Sequence, residues 1–328
     1  AKRGTIYDRD GVELAVTIHG KSLVADPSLI EDPTEAASIL APIIDADYVD
    51  LARRLDSDGR FTYVARGLET DVVAEVSAAI EEADLIGFTF EEAPLRIYPS
   101  GALAAPIIGL THADDGRGIE GIEAVMDTEL AGRPGKRVVE RDQGGRAIPQ
   151  AEYLLESSTP GSDVVLTLDR EIQYTAERAL QDAIDFTGAL GGSAVVMDPK
   201  TGEILAMVSL PGFNGMDRSS LDPSAIRNRA IADVYEPGST LKVVAVAAAL
   251  EEGVVRPDTP FDTPPEIDIV GETYTDHGNH PSVMTVTDIV AQSSNVGTIK
   301  IQRQLGDETH YRYLEAFGLG RPSSIDFR

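Results

Sequence analysis

The stretch Tyr235-Glu236-Pro237-Gly238-Ser239-Thr240-Leu241-Lys242 sets a serine three residues ahead of a lysine, at the point where an apolar helix is expected to begin. Pro237 and Gly238 are poor helix-interior residues, whereas Val243-Val244-Ala245-Val246-Ala247-Ala248-Ala249-Leu250 reads as a buried helix closed by Gly253. Positions i and i+3 share a helix face, so the Lys242 amine is expected within reach of the Ser239 hydroxyl. A serine is a poor nucleophile until a base takes its proton. Lysine serves as that base only when burial or a positive field lowers its pKa. A helix N-terminus supplies such a field, together with backbone N–H groups able to hold an oxyanion. Taken alone, the spacing arises by chance about once per few hundred residues. An N-cap serine followed by an exposed lysine would give the same letters.

With 328 residues, 42% of them hydrophobic, the chain can bury a core and is expected to form two domains. It has no cysteine, which excludes disulfides, thiol catalysis and cysteine-based metal sites. Its formal charge of −27, from 55 acidic and 28 basic residues, argues against a nucleic-acid partner and against broad adhesion to an anionic membrane. No run of roughly eighteen apolar residues and no signal peptide is present. The chain opens abruptly at Ala1-Lys2-Arg3, so an upstream anchor or leader is expected. It stops as abruptly in Ser324-Ile325-Asp326-Phe327-Arg328, which reads as the middle of a strand or turn.

Residues 1–155 mix short strands and helices. Thr5-Ile6-Tyr7 and Glu13-Leu14-Ala15-Val16-Thr17-Ile18 flank Asp8-Arg9-Asp10-Gly11, a hairpin turn; the two aspartates lack the companions of a calcium loop. Apolar periodicity predicts helices over 34–44, 71–83 and 119–130, the last followed by a Gly132-Arg133-Pro134-Gly135 turn. The polar run Glu156-Ser157-Ser158-Thr159-Pro160-Gly161-Ser162-Asp163 marks the expected domain boundary. Beyond it come a strand over 164–168, a helix over 170–187, and a hairpin of two largely buried strands, 192–197 and 204–210. The expected class is α+β, with a largely antiparallel sheet and helices in residues 156–328.

A second chemical signal is Gln292-Ser293-Ser294-Asn295-Val296-Gly297. A Ser-x-Asn triplet offers a hydroxyl that can relay a proton and an amide that both donates and accepts. On its own it reads as a turn or helix cap; some fifty residues after a Ser-x-x-Lys helix start, it reads as part of a site. Together the two motifs resemble the penicillin-binding proteins and serine β-lactamases, whose sites combine Ser-x-x-Lys, Ser-x-Asn and Lys-Ser/Thr-Gly. Arg3-Gly4-Thr5-Ile6-Tyr7-Asp8-Arg9-Asp10-Gly11 resembles the opening motif of the class B penicillin-binding proteins. Arg96-Ile97-Tyr98-Pro99-Ser100-Gly101, Gly118-Ile119-Glu120-Gly121-Ile122-Glu123 and Arg141-Asp142-Gln143-Gly144-Gly145-Arg146 resemble further motifs of their pedestal. Pro160-Gly161 through Val164-Val165-Leu166-Thr167-Leu168-Asp169 is similar to the family's entry into the transpeptidase domain. Arg227-Asn228-Arg229-Ala230-Ile231 and Ser293-Ser294-Asn295-Val296-Gly297 look like the division-specific, FtsI-type branch.

The resemblance implies a pedestal (dimerisation-type) domain over 1–155 and the N-terminal part of a transpeptidase domain over 156–328. It implies a septal peptidoglycan D,D-transpeptidase without metal or organic cofactor, acting on stem peptides ending in D-Ala-D-Ala and acylated by β-lactams. Ser239 would be the nucleophile, Lys242 its base, Ser293 a proton relay and Asn295 the group orienting the donor peptide. A single anchor upstream of Ala1 would hold the domains on the outer face of the cytoplasmic membrane, beside divisome proteins such as an FtsW-type glycosyltransferase. Lys200-Thr201-Gly202 spells the family's third motif but precedes the nucleophile, and is read as a hairpin turn. The family's third motif follows Ser-x-Asn, so it is expected beyond Arg328. A non-catalytic scaffold and a β-lactam sensor or β-lactamase are the competing readings. His277 and His280 are read as loop residues rather than metal ligands, and Glu120 and Glu123 as structural.

Overall fold

The computed structural model describes residues 1–113, 115–141, 147–217, 221–323, 325 and 327, without the side chains of 137, 139–141 and 147–154. The chain divides into a first compact unit, 1–233, and a second, 234–326. The Asp142-to-Arg146 part of one pedestal motif lies outside the described residues.

The first unit begins with the expected hairpin. Strands β1 (Ile6–Tyr7) and β2 (Glu13–Ala25) pair antiparallel, with Ile6 opposite Ala15. The buried Asp8 carboxylate accepts from the N–H groups of Asp10 and Val12 at 2.9 and 2.8 Å, so it closes the turn. Strand β2 runs well past the expected Ile18, because β3 (Thr62–Leu68) and β4 (Phe88–Ile97) pair with it antiparallel. Helices α1 (Pro33–Leu40), α2 (Tyr48–Leu55) and α3 (Thr70–Glu82) pack around this sheet, burying Leu23, Leu40, Leu51, Leu55, Val64 and Val76. Helix α1 starts where Asp32 accepts from Thr34 and Glu35 N–H, and stops at Leu40 rather than at 44. Pro42 has no N–H to continue the ladder, and Asp45 turns the chain at φ 50°.

The helix expected over 119–130 is broken. After α4 (Ala105–Ile108), strands β5 (Leu110–Thr111) and β6 (Gly118–Glu120) pair, and then come α5 (Gly121–Val125) and α6 (Asp127–Leu130). Gly121 has φ 61°, and a Cβ there would meet the Ile107 carbonyl at 2.5 Å, so the backbone is pinned before α5 begins. Met126, at φ −99° and ψ 23°, interrupts α5 from α6. The fully buried Glu123 lies between two guanidiniums, Arg3 at 2.6 Å and Arg96 at 2.7 Å, and is structural as expected.

Residues 132–135 do not form the expected tight turn. Arg133 makes a two-bond antiparallel bridge with Thr159, and Gly161 and Ser162 donate to the carbonyls of Lys2 and Glu129. The polar run 156–163 is therefore tied down by backbone hydrogen bonds that its composition does not reveal. Strands β7 (Lys136–Arg141) and β8 (Ala147–Glu156) form a hairpin, and β9 (Val164–Val165), shorter than expected, runs parallel to β1.

Helix α7 (Arg170–Thr187) has the expected bounds, capped by Asp169 and ended by Gly188 at φ 68°. It packs on the expected hairpin of β10 (Gly192–Met197) and β11 (Ile204–Leu210). Ala206, Met207 and Val208 of β11 are buried, but Val195, Val196 and Met197 of β10 are exposed, so only one strand is largely buried. Short helices α8 (Pro223–Ile226) and α9 (Arg229–Ala232) complete this unit.

In the second unit, a 3₁₀ turn (Gly238–Leu241) leads into α10 (Lys242–Glu251). Two antiparallel pairs follow, β12 (Pro260–Asp262) with β15 (Val283–Thr285), and β13 (Glu266–Ile269) with β14 (Glu272–Thr275). Helices α11 (Val286–Ala291), α12 (Asn295–Leu305) and α13 (Asp307–Ala316) close the unit. Val246, Ala248, Ala249, Met284, Ile289 and Ile301 form its core. Among the described residues, no helix is long and apolar enough to cross a membrane.

Candidate active site

Alanine and valine make α10 an apolar rod, and burial of Val244, Ala245, Val246, Ala248 and Ala249 fixes it in the core. Gly238 adopts φ 57°, a left-handed conformation glycine takes without strain, and turns the chain into the 3₁₀ segment that carries Ser239. Ser239 thus stands at the helix start, as the sequence suggested, in the 3₁₀ turn that leads into α10. Lys242 is the first residue of α10. Its amine donates to Ser293, to the carbonyl oxygen and, at 3.2 Å, to the hydroxyl. Ser239, Lys242 and Ser293 line one cavity of about 380 Å³, walled on the apolar side by Val243, Val246 and Val290. Burial lowers the Lys242 pKa from the ordinary lysine value, and the negative charge of Asp276 partly opposes that shift.

Ser293 and Ser294 are the joint between two helices. Helix α11 starts with a capping box, Thr285 and Asp288 exchanging hydrogen bonds. At its end, Ser294 N–H donates to Ile289 carbonyl and Ser293 N–H to Val290 carbonyl, at 2.9 and 3.1 Å. This pair of bonds is a Schellman closure, and it requires the left-handed residue that Ser293 provides at φ 52°. Glycine is the usual occupant of that position. One residue on, the Ser294 hydroxyl accepts from Gly297 N–H at 2.8 Å and caps α12. Ser294 is thus a helix cap, and the Ser293 hydroxyl beside it faces the Lys242 amine. Asn295, exposed at the first turn of α12, donates its side-chain amide to the Thr275 carbonyl at 2.8 Å and is not among the residues lining the cavity.

Asp276 is a neighbour of the Ser293–Asn295 joint that residue types alone did not reveal. Its side chain is 3% exposed, in the loop after β14. It accepts from the Ser294 hydroxyl at 2.6 Å, from Val296 N–H at 3.0 Å, and from Asn295 N–H. His280 Nε2 lies 2.9 Å from the same carboxylate. Burial alone would raise the Asp276 pKa, but those hydrogen bonds and the nearby His280 outweigh it and hold the group below the ordinary aspartate value. The Asp276-to-His280 stretch is a loop, as expected, and of its two histidines His280 pairs with a carboxylate. Among the described residues, no three histidine, aspartate or glutamate side chains converge as a metal site would require.

Lys200-Thr201-Gly202 is the turn between β10 and β11. Asp198 accepts from Lys200 N–H at 2.7 Å and Thr201 N–H at 3.2 Å, and Gly202 has φ 78°.

A pedestal with a buried Arg–Glu–Arg clamp, followed by a serine and a lysine at an apolar helix start facing a Ser-Ser-Asn joint, defines a penicillin-binding protein. Family models match accordingly, the Penicillin-binding Protein dimerisation domain over residues 1–166 and the Penicillin binding protein transpeptidase domain over 192–328. The chain belongs to the class B penicillin-binding proteins of the FtsI type. It is 35% identical over 330 residues to Peptidoglycan D,D-transpeptidase FtsI of Escherichia coli, covering 98% of this chain and 55% of that protein. It is 34% identical over 348 residues to Penicillin-binding protein PbpB of Mycobacterium tuberculosis, covering 99% and 50%. The chain thus spans about half the length of the curated relatives it matches. Among solved structures, Penicillin Binding Protein 2X from Streptococcus thermophilus superimposes with a TM-score of 0.72 at 26% identity, over 98% of this chain and 52% of that one.

Proposed function

We propose that this chain belongs to a septal peptidoglycan D,D-transpeptidase that cross-links stem peptides through a Ser239 acyl-enzyme. The observation that carries this reading is the single cavity lined by Ser239, Lys242 and Ser293, with the Lys242 amine hydrogen-bonded to Ser293. The names of the relatives support it. Neutral Lys242 takes the Ser239 proton while the oxygen attacks the carbonyl carbon of the penultimate D-alanine of a donor stem peptide. The Ser239 backbone N–H, together with a donor from a further strand of the whole protein, holds the oxyanion. The tetrahedral intermediate collapses as the amide C–N bond breaks. The departing D-alanine nitrogen takes a proton from Lys242, relayed by the Ser293 hydroxyl. An amine of a second stem peptide then attacks the ester, forming the cross-link and restoring Ser239. Asn295, whose side-chain nitrogen is held by Thr275, offers its oxygen to the donor peptide's amide N–H.

In this reading residues 1–155 are the pedestal and 156–328 the start of the transpeptidase domain. The whole protein is anchored in the cytoplasmic membrane with both domains outside, beside an FtsW-type glycosyltransferase. β-Lactams imitate the donor and stay bound to Ser239. Fluorescent penicillin tests this on the full-length protein: a stable label is expected that is lost in Ser239→Ala, at a rate that rises with pH as Lys242 becomes neutral. No label, or equal label on the alanine variant, refutes the enzyme and leaves a scaffold; rapid release of the label indicates a β-lactamase.

A further inference from the structure

We propose that Asp276, backed by His280, is a positioning residue for acylation: its carboxylate fixes the Ser293–Asn295 joint against which the Lys242 amine is set. The inference rests on the Ser239 acyl-enzyme reading and adds a residue eighteen positions ahead of the Ser294 hydroxyl that it holds. Ser294 caps α12 through Gly297 N–H, which leaves the N–H groups of Asn295 and Val296 without an intrahelical acceptor. Asp276 takes both of them and, in addition, the Ser294 proton. The consequence is geometric. With its only proton given to Asp276, the Ser294 hydroxyl must turn a lone pair to Gly297, and the backbone on both sides of Ser294 is held.

Ser293 precedes that clamp in a left-handed conformation that a non-glycine residue keeps only when its surroundings over-determine it. In that conformation its carbonyl and hydroxyl both meet the Lys242 amine. His280 completes the arrangement from behind. Its ring is 7% exposed, with Nε2 on Asp276 and Nδ1 2.9 Å from the Pro281 carbonyl. The ring lies between the Asp276 carboxylate and the Pro281 carbonyl and backs the carboxylate at the oxygen that does not accept from Asn295 and Val296 N–H.

Asp276 also acts on the base directly, since its charge favours the protonated form of Lys242. Three charged groups on α10 and on the elements packed around it have partners of their own. Asp288 on α11 is bound by Thr285, Lys300 on α12 by Asp262, and Glu252, at the far end of α10, by Arg312 and Tyr313 on α13.

The test uses the full-length protein and benzylpenicillin, with the acylation rate followed from about pH 5 to pH 9 and amide exchange read at residues 294–297. Asp276→Ala is expected to slow acylation by about tenfold or more and to speed exchange at Asn295 and Val296. Asp276→Asn keeps the shape without the charge. It should retain part of the rate, with the rising limb moved to lower pH because the anion that holds the Lys242 proton is gone. His280→Gln, which can still donate to Asp276, should stay closer to wild type than His280→Leu. Wild-type rates in both Asp276 variants overturn the proposal. So does an unmoved pH limb accompanied by lost protection throughout 234–326, which would make the residue merely structural. If wild-type protein takes no label, the enzymatic reading fails, and exchange at Asn295 and Val296 still decides whether Asp276 holds the joint.

Discussion

Gly297 carries a prediction whose size follows from three distances. A Cβ at this position would lie 2.5, 2.8 and 2.8 Å from Cγ1, Cδ1 and Cγ2 of Ile289, where carbon atoms normally rest about 3.5–4.0 Å apart. Ile289 is fully buried and shares its cluster with Val246, Ala249, Met284 and Ile301, so it cannot retreat without moving the core of the unit. Overpacking of this kind costs about 1–3 kcal/mol. Alanine returns at most about 1 kcal/mol of helix propensity, and less here, because Gly297 lies in the first turn of α12. The expected net loss for Gly297→Ala is about 1–2 kcal/mol. It falls on the pairing of α11 and α12, which is the joint holding Ser293. Amide exchange across 286–305 should quicken by roughly five- to thirtyfold, and acylation should slow because Gly297 N–H is the donor that Ser294 accepts. The partner variant Ile289→Ala removes all three clashing carbons, so the double variant should be more stable than the sum of the single effects. An alanine variant as stable as wild type, or strictly additive effects, would refute the close-packing argument.

Substitutions at two further positions separate folding from chemistry. Ser293→Gly places the preferred residue at a left-handed helix end and should stabilise the joint by about 0.5–1 kcal/mol in thermal unfolding. It nonetheless lowers the acylation rate because the hydroxyl is lost, whereas Ser293→Ala loses the rate without the stability gain. Glu123→Ala leaves Arg3 and Arg96 buried without the carboxylate they share and should cost the pedestal about 3–5 kcal/mol; a loss under about 1 kcal/mol in denaturant unfolding would show that the clamp is not structural.

Elements whose stop signals are local were legible in the sequence. Helix α7 kept its expected bounds because Asp169 and Gly188 cap it, and the hairpin of β10 and β11 kept its turn because Asp198 and Gly202 build it. Elements decided by distant partners were not. Strand β2 continues past Ile18 because β4 pairs with it all the way to Ala25, and nothing in 19–25 announces that partner. The run 156–163 read as a domain boundary by its polar composition, yet its backbone bonds to Lys2, Glu129 and Arg133. Within the site, Ser239, Lys242 and Ser293 were readable as motif letters, and the structure sets them around one cavity. Asp276 was not, because an aspartate in a polar loop carries no periodicity, and its role depends on a fold contact with a helix start eighteen residues away. One local signal existed: His280 follows at i+4 and is the residue that faces it.

The letters of Ser293-Ser294-Asn295-Val296-Gly297 can be sorted by what folding demands of each. Ser294 is a helix cap and Gly297 is the gap that admits Ile289, so both follow from the meeting of α11 and α12. Val296 is fully buried and belongs to the same packing. Ser293 is the opposite case, since the Schellman end of α11 favours glycine at its left-handed position and the chain carries a serine there instead. The hydroxyl kept against that preference is the one that meets the Lys242 amine in the cavity with Ser239. Fifty-five residues earlier in the chain the preference is obeyed, with Gly238 taking the left-handed turn so that Ser239 can follow it. Where conformation alone was needed the chain has glycine, and at Ser293 it keeps a hydroxyl in spite of the strain, which is the argument for the part proposed for Ser293 in the chemistry and for Ser294 and Asp276 as its support.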